Sequence, residues 1–224
     1  MGAEKAALFE EFARVGKALA NGKRLELLDL LAQGERSVEA LTAAAGLGLT
    51  TTSAHLQTLR QAGLIVSRRE GTKIFYSIAG TDVLQLFSLL RSVAQDRVPA
   101  VEPRRVAYLQ LNGPRAEEQA LTRDELVAYA EDGSLTVIDV RPADEYRAGH
   151  LPGALSIPLE ELEQRISELR VDTEFVAYCR GAYCVMAYEA LEILRSNGLA
   201  AHRLEDGMLE WRLAGLGVEQ GEAA

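Results

Sequence analysis

A single irregular segment divides this chain of 224 residues into two halves with different patterns. Hydrophobic periodicity is lost between residues 99 and 120. The segment contains five residues of the kinds that end helices and strands: Pro99, Pro103, Asn112, Gly113 and Pro114. A chain of this length has room for two domains. The sequence therefore predicts one domain over residues 1–98, a linker over 99–120 and a second domain over 121–218.

The charge of the chain differs between the two halves. The net charge of −9 at first argues against a DNA-binding protein, because duplex DNA attracts cationic surfaces. However, residues 1–99 carry 12 Lys and Arg against 10 Asp and Glu, whereas residues 100–224 carry 12 against 23. Only the second half is strongly acidic, so the first half remains compatible with DNA binding.

Cysteine usage and hydropathy indicate the compartment. Cys179 and Cys184 are the two cysteines of the chain, too few and too close in sequence to staple a domain. They indicate chemistry or core packing in a reducing compartment. No stretch approaches the ~18 consecutive apolar residues of a membrane span, and Met1 to Lys5 do not begin a secretion signal. We therefore expect a soluble, cytoplasmic protein with no membrane partner.

The first half has the order of elements found in winged helix-turn-helix domains. Apolar spacing predicts two helices before residue 33, a short helix after Ser37, a helix over Thr50–Ala62 and a last helix over Asp82–Asp96. Between the last two helices, residues 64–69 and 73–78 predict a basic hairpin that turns at Gly71. In this layout the second helix of the motif enters the major groove and the hairpin lies along the DNA backbone.

The residues of this motif resemble a known family. Residues 46–64 read GLGLTTTSAHLQTLRQAGL, and residues 67–76 read SRREGTKIFY. Both segments closely resemble the ArsR family of winged helix-turn-helix regulators, and the resemblance covers nearly all of residues 5–95. It implies a transcriptional regulator, expected to be a repressor, that binds a double-stranded DNA operator.

Nine polar side chains are the expected DNA contacts. Short hydroxyl, amide and imidazole groups on the recognition helix read base edges or hold phosphates, and cationic groups bind phosphates. The first group comprises Thr50, Thr51, Ser53, His55 and Gln57, and the second comprises Arg60, Arg68, Arg69 and Lys73. Each could instead serve the fold: Thr50 by opening the helix, His55 by packing or capping, and the arginines as a solvated face. The presence of all nine residues in this order along the helix and hairpin favours DNA contact.

The resemblance also bears on assembly and on metal binding. ArsR proteins dimerise through their first and last helices, and the last helix here has more apolar residues than one small domain needs. These residues are Val83, Leu84, Leu86, Phe87, Leu89, Leu90 and Val93. We therefore expect a homodimer on a two-fold symmetric operator. The positions of the family's metal ligands hold Ser37, Val38 and Glu39 in the third helix, and Asp82–Asp96 has no histidine, so we expect neither a metal nor another cofactor.

The second half alternates strands with helices. Thr122 and Glu125 have capping-box spacing before a helix that reaches about residue 132. Further helices are predicted near residues 160–170 and 184–197, the latter ending at Gly198. Short strands are predicted at Thr136–Val140, Ala154–Ile157, Phe175–Tyr178 and Ala201–Leu204. This alternation predicts an α/β domain with a mainly parallel sheet that is covered on both faces.

Three segments of the second half resemble the rhodanese family. Residues 137–158 read VIDVRPADEYRAGHLPGALSIP, residues 175–184 read FVAYCRGAYC, and Gly207 with Trp211 resembles the family's closing motif. The resemblance covers roughly residues 121–218. It implies a sulfur-transfer loop in which Cys179, at a strand end, is the nucleophile, followed by Arg180, Gly181, Ala182 and Tyr183.

The expected chemistry of this loop depends on its backbone. A loop between a strand end and a helix start directs successive N–H groups at one centre, which favours an anion. We therefore expect a lowered pKa for Cys179 and a thiolate that takes sulfur from a small donor such as a persulfide, polysulfide or thiosulfate. Arg180 is expected to help attract anionic donors.

Cys184 marks a departure from the family. Typical sulfurtransferases have a cationic residue at this position and a hydroxyl after it, where this chain has Cys184 and Val185. The change disfavours thiosulfate as the donor. Cys184 could resolve a Cys179 persulfide into a disulfide or a sulfur-bridged link, or it could simply pack in the first turn of a helix.

Three functions remain open from the sequence. The first is a DNA-binding regulator that senses or carries reactive sulfur as a Cys179 persulfide. The second is a working sulfurtransferase with an attached DNA-binding dimerisation module. In the third, the rhodanese-like domain is an inert platform for dimerisation or for a partner.

Overall fold

The computed structural model describes residues 2–111, 120–132, 135–169 and 173–221. The chain divides into two compact units, Met1–Arg91 and Ser92–Ala224. None of the helices in the described part of the chain is both long enough and apolar enough to cross a membrane.

The first unit is a helical domain with a three-stranded sheet. Its helices are α1 (Gly2–Leu19), α2 (Gly22–Gln33), α3 (Val38–Ala44), α4 (Leu49–Gln61) and the start of α5 (Thr81–Arg97). Its strands are β1 (Arg36–Ser37), β2 (Ile65–Glu70) and β3 (Lys73–Ile78), and they lie in the order β1-β3-β2 with antiparallel pairing. The predicted helices and the wing hairpin are confirmed, and β1 is an addition to them.

Local chemistry explains where these elements begin and turn. The Ser37 hydroxyl accepts a hydrogen bond from the Ala40 N–H at 3.2 Å, which caps α3. The hairpin turns at Gly71, whose φ of 59° lies in the left-handed region that glycine adopts without strain. The domain is closed by a core of fully buried aliphatic side chains: Leu27, Leu28, Leu41, Leu56, Leu59 and Ile65.

The second unit contains a five-stranded parallel sheet flanked by helices. Its strands are β4 (Ala120–Leu121), β5 (Leu135–Asp139), β6 (Leu155–Ser156), β7 (Glu174–Tyr178) and β8 (Ala201–Leu204). They lie in the order β4-β8-β7-β5-β6. The helices are α6 (Val101–Tyr108), α7 (Arg123–Asp132), α8 (Ala143–Ala148), α9 (Leu159–Arg165), α10 (Met186–Ser196) and α11 (Met208–Leu213). The predicted fold class, a winged helix-turn-helix followed by an α/β domain, is confirmed.

Strand β7 shows how the sheet is covered on both faces. Phe175, Ala177 and Cys179 belong to the core cluster under α9 and α10. Val176 and Tyr178 belong to the opposite cluster, which includes Trp211 of α11. Successive side chains of a strand point to opposite faces, so Cys179 continues the first series just beyond the strand end.

Several helix boundaries follow the sequence predictions, and some elements are new. The Thr122–Glu125 capping box is present: the Thr122 N–H donates to the Glu125 carboxylate at 2.8 Å, and the Glu125 N–H donates to the Thr122 hydroxyl at 3.3 Å. Helix α6 lies inside the segment predicted to be a linker, where two prolines and weak periodicity concealed it. Residues 112–119 of that predicted linker lie outside the described residues.

Candidate functional site

The recognition helix α4 presents the predicted groove-facing residues at its start. The Thr50 and Thr51 side chains are exposed, whereas Ser53, His55 and Gln57 are half-buried. Thr52, which is not among the predicted contacts, is fully buried, and its hydroxyl donates to the Gly48 carbonyl at 3.2 Å. Thr52 thus fixes the first turn of the helix and leaves its two neighbours available to a ligand.

The four predicted phosphate-binding cations have different surroundings. Arg69 and Lys73 are exposed on the wing. Arg60 donates to Gln57 at 2.6 Å and to Ser67 at 3.3 Å, which ties α4 to the hairpin. Arg68 forms ion pairs with Glu35, at 2.5 Å, and with Glu70. A phosphate would compete with two carboxylates for Arg68, so Arg69 and Lys73 are the better-placed cations of the wing.

Apolar side chains remain exposed on two helices of the fold. On α1 these are Leu8, Phe9 and Phe12, and on α5 they are Leu86, Leu89 and Val93. The sequence analysis counted seven apolar residues of α5 as available for dimerisation, but Val83 and Phe87 are buried. Those two side chains point into the core of the fold, and the exposed apolar face of α5 is correspondingly narrower.

The dithiol loop, residues 179–184, joins the end of β7 to the segment before α10. Its first two carbonyls are held by the start of α11: the Met208 N–H donates to the Cys179 carbonyl at 3.0 Å, and the Leu209 N–H donates to the Arg180 carbonyl at 3.2 Å. A Cβ on Gly207 would lie 2.2 Å from the Gly181 nitrogen, so only glycine permits this close approach. The resemblance of Gly207 to the family's closing motif therefore has a steric cause.

Cys179 lies inside the loop and is only 2% exposed. Its thiol is 3.6 Å from the Cys184 carbonyl oxygen and 3.9 Å from the Gly181 carbonyl oxygen. Burial raises the pKa of the Cys179 thiol well above its ordinary value, and the neighbouring Cys184 sulfur adds to the increase. Backbone groups of Gly181 and Ala187 oppose this shift but do not outweigh it. The expectation of a lowered Cys179 pKa is wrong for the resting loop, because burial at the strand end dominates.

Cys184 carries the more acidic thiol of the pair. A hydrogen bond from Cys179 is the main cause that lowers the pKa of Cys184, and it outweighs the opposing effect of burial. Backbone groups of Arg180 and Met186 and the Arg180 charge lower this pKa further. Burial therefore makes Cys179 the less acidic thiol of the pair, and the hydrogen bond from Cys179 makes Cys184 the more acidic one.

This difference in pKa between the two thiols predicts the order of alkylation. Cys184 should react with iodoacetamide before Cys179, with a pH midpoint below that of an ordinary cysteine, since the thiolate is the reactive form. The Cys179→Ala substitution removes the hydrogen-bond donor to Cys184, so the pH midpoint for alkylation of Cys184 should move to higher pH. The check is peptide mass mapping across a pH series. If iodoacetamide labelled Cys179 before Cys184 in the unaltered protein, the assignment of Cys184 as the more acidic thiol would be wrong.

Arg180 of the dithiol loop is paired with a buried carboxylate. Its guanidinium is paired with Glu145 of α8 through contacts of 2.6–3.1 Å, and the Glu145 side chain is only 1% exposed. This ion pair offsets part of the charge that was expected to attract anionic donors, although the Arg180 charge still lowers the pKa of Cys184. Glu145 was visible in the sequence as part of the rhodanese-like motif, but its pairing with a residue 35 positions later was not.

The rest of the loop and its surroundings make further hydrogen bonds and an ion pair. The Tyr183 hydroxyl donates to Gln95, which also belongs to the second unit. Below the loop, Arg141 pairs with Asp139 at 2.6 Å with both side chains fully buried, and the Tyr178 hydroxyl donates to Asp139 at 2.5 Å. Among the described residues, no group of three or more His, Cys, Asp or Glu side chains is placed to hold a metal ion.

The fold and the loop together define a winged helix-turn-helix protein with a rhodanese-like domain, and comparison with known proteins agrees. The model of bacterial regulatory proteins of the arsR family matches residues 21–67, and the model of the rhodanese-like domain matches residues 122–214. The chain is 55% identical over 217 residues to the HTH-type transcriptional regulator Rv0324 of Mycobacterium tuberculosis, covering 97% of this chain and 94% of that one. The protein therefore belongs to the ArsR family of transcriptional regulators, in a form that carries a rhodanese-like domain.

Two solved structures are similar to parts of the chain. One is the homodimeric winged helix-turn-helix DNA-binding domain of Mb0332 from Mycobacterium bovis. It is 58% identical and covers 43% of this chain and 89% of that one, with a TM-score of 0.41. The other is a rhodanese-related protein from Thermoplasma volcanium. It is 27% identical and covers 45% of this chain and 97% of that one, with a TM-score of 0.40.

Proposed function

We propose that this regulator is a homodimeric repressor whose affinity for its operator responds to reactive sulfur taken up at Cys179. The observation that carries the proposal is the coupled pair of thiols within a sulfur-transfer loop, in a chain that also has a winged helix. These are the two cysteines of the sequence, and both belong to that loop. The expected metal-ligand positions of the ArsR family carry other residues, so the signal is expected to enter through the dithiol loop.

The chemistry uses both thiols. The Cys179 proton passes to the Cys184 sulfur, and the resulting Cys179 thiolate attacks the outer sulfur of a hydropersulfide, R–S–S–H. A bond forms between Cys179 and that sulfur, the sulfur–sulfur bond of the donor breaks, and R–S⁻ leaves. The leaving group takes the proton from Cys184, which gives a Cys179 persulfide, R–S–H and the Cys184 thiolate.

Cys184 then acts as the resolving thiol. Its thiolate attacks Sγ of Cys179 and expels HS⁻, which leaves a Cys179–Cys184 disulfide. No oxidant beyond the donor is needed, because the sulfane sulfur is reduced to HS⁻ while the two thiols are oxidised. The disulfide changes the loop covalently, and this change is the proposed signal to the DNA-binding domain.

Mass spectrometry of the full chain tests this chemistry. After treatment with a hydropersulfide, Cys184→Ser should retain one added sulfur atom on Cys179, because the resolving thiol is missing. The mass of the unaltered protein should fall by two hydrogens as the disulfide forms. Cys179→Ser should neither gain the sulfur atom nor lose the two hydrogens. Sulfur addition to Cys179→Ser at an undiminished level would refute the assignment.

The winged helix is proposed to bind DNA through the start of α4 and the tip of the hairpin. Thr50 and Thr51 would contact base edges or phosphates, with Ser53, His55 and Gln57 further along the same helix. Arg69 and Lys73 would bind phosphates on either side of the turn, with Arg60 and Arg68 behind them. Dimerisation through the exposed apolar faces of α1 and α5 would present two such surfaces to a symmetric operator.

Salt dependence tests the binding of phosphates by the wing. Arg69→Ala and Lys73→Ala should each weaken DNA binding and reduce the slope of log K against log salt by about 0.9 for each phosphate that the variant no longer neutralises. The DNA is a duplex that the protein selects from a randomised pool. Arg104→Ala, an exposed position on α6, is the matched control and should leave the slope unchanged. Equal slopes in all four proteins would contradict the role of the wing.

A further inference from the structure

An apolar pocket lies at the edge of the sheet where the dithiol loop begins. It has a volume of about 180 Å³ and is lined by Val140, Pro142, Pro158, Leu159, Glu160 and Met186. Val140 and Pro142 follow β5, and residues 158–160 follow β6, whereas Met186 begins α10. Because β5 pairs in parallel with β7, the pocket and Cys179 lie at the same carboxyl edge of the sheet.

The pocket and the two thiols share one packed cluster. Val140 and Cys179 belong to one buried cluster, and Leu159, Cys184 and Met186 pack against that cluster. Met186 supplies a second connection, because its backbone interacts with the Cys184 sulfur while its side chain lines the pocket. The pocket and the dithiol pair therefore border the same cluster at the same edge of the sheet.

The charges around the pocket disfavour an inorganic anion. Five of the six lining residues are uncharged, and the charged one, Glu160, is acidic. Arg180 of the neighbouring loop is paired with the buried Glu145 carboxylate. Cys184 stands where the family has a cation. A doubly charged donor such as thiosulfate would meet a carboxylate and no compensating cation from these groups.

The size of the pocket suits a short organic group. A liquid water molecule takes about 30 Å³, so the pocket equals roughly six waters, which accommodates a chain of a few carbon atoms. Each methylene of such a chain that is removed from water favours binding.

We infer that the pocket binds the apolar organic group of a small alkyl hydropersulfide, so that the donor to Cys179 is an organic persulfide and not thiosulfate or inorganic polysulfide. This inference rests on the proposed function and names its substrate class. In the transfer, the alkyl group occupies the pocket, the outer sulfur bonds to Cys179, and the alkyl thiol is the leaving group that departs with the Cys184 proton. The atoms and charges balance as they do for transfer from the hydropersulfide R–S–S–H, with the alkyl group as R.

The test compares donors that differ only in chain length. Methyl and butyl hydropersulfide are offered to the full-length Cys184→Ser protein, in which buffer takes over the proton transfers of Cys184 equally for both donors. The rate of sulfur gain at Cys179 is divided by the rate with free cysteine. Butyl hydropersulfide should react about tenfold faster or more, in line with the known discrimination of apolar pockets for added methylenes. Thiosulfate should be slower than either.

A pocket-filling variant separates binding from intrinsic reactivity. Leu159→Trp, placed in the Cys184→Ser background, should remove the preference for butyl over methyl, because the indole ring fills the space that the butyl chain would occupy. Glu160→Lys in the same background should raise the rate with thiosulfate. Equal rates for methyl and butyl donors, or a preference that survives Leu159→Trp, would overturn the inference. Failure of every donor to add sulfur would instead refute the proposed function.

Discussion

Replacing Leu89 by glutamate is expected to convert the dimer to a monomer and to weaken DNA binding by about a hundredfold or more. Leu89 is 62% exposed on α5, so the substitution removes no core packing from the protomer. In a dimer interface through α5, a buried carboxylate on each protomer would cost several kcal/mol. A monomer engages one half-site and loses the avidity of two linked sites, which is worth about 10²–10⁴ in affinity.

Light scattering after size exclusion and DNA titration provide the measurements. Val127→Glu is the matched control, because Val127 is also an exposed apolar residue, but it lies on α7 in the second unit. The control should remain dimeric and bind DNA normally. A Leu89→Glu protein that is still dimeric, or a monomer with full affinity, would show that α5 does not form the proposed interface.

Removal of the Asp139 carboxylate is expected to destabilise the second unit by about 3–5 kcal/mol. Asp139 and Arg141 are fully buried and paired at 2.6 Å, and the Tyr178 hydroxyl also donates to Asp139. Asp139→Ala would leave a buried guanidinium without this carboxylate, although Arg141 would keep its 2.7 Å hydrogen bond to the Gly149 carbonyl. The loss of one partner of a buried pair costs far more than the loss of an exposed one.

Tryptophan fluorescence can follow this unfolding selectively. Trp211 is the single tryptophan of the chain and packs in the same cluster as Tyr178, so its emission reports on the second unit. The control is Glu168→Ala, which removes a largely exposed ion pair with Arg165 and should change the free energy of unfolding by less than about 1 kcal/mol. A similar urea midpoint for Asp139→Ala and the control would contradict the structural role of the buried pair.

The sequence was informative wherever local chemistry fixes local structure. Ser37 and the Thr122–Glu125 pair cap helices through hydrogen bonds between residues three positions apart, and Gly71 turns the wing. Regular apolar spacing located the main helices and four of the five strands of the parallel sheet. Helices α6, α8 and α11 and the two-residue strands β1 and β4 were missed, because such short segments carry little periodicity.

The properties of the candidate site depended on contacts that are distant in sequence. The motif placed Cys179 at the end of a strand, but its burial depends on helices that follow it and on the neighbouring strands. The pairing of Arg180 with Glu145, and of Arg68 with Glu35, joins residues more than 30 positions apart. The order of residues in the sequence does not show which carboxylate pairs with which arginine. The sequence prediction therefore assigned Arg68 to a DNA phosphate and Arg180 to an anionic donor.

The most direct test of sulfur sensing is the affinity of the full-length protein for its selected DNA duplex, measured at one salt concentration before and after hydropersulfide treatment. The unaltered protein should show a changed dissociation constant that returns to its starting value on reduction, whereas Cys179→Ser should show the same constant throughout. An unchanged constant in a protein whose mass confirms modification at Cys179 would contradict sulfur-responsive DNA binding and would favour a sulfurtransferase attached to a DNA-binding domain.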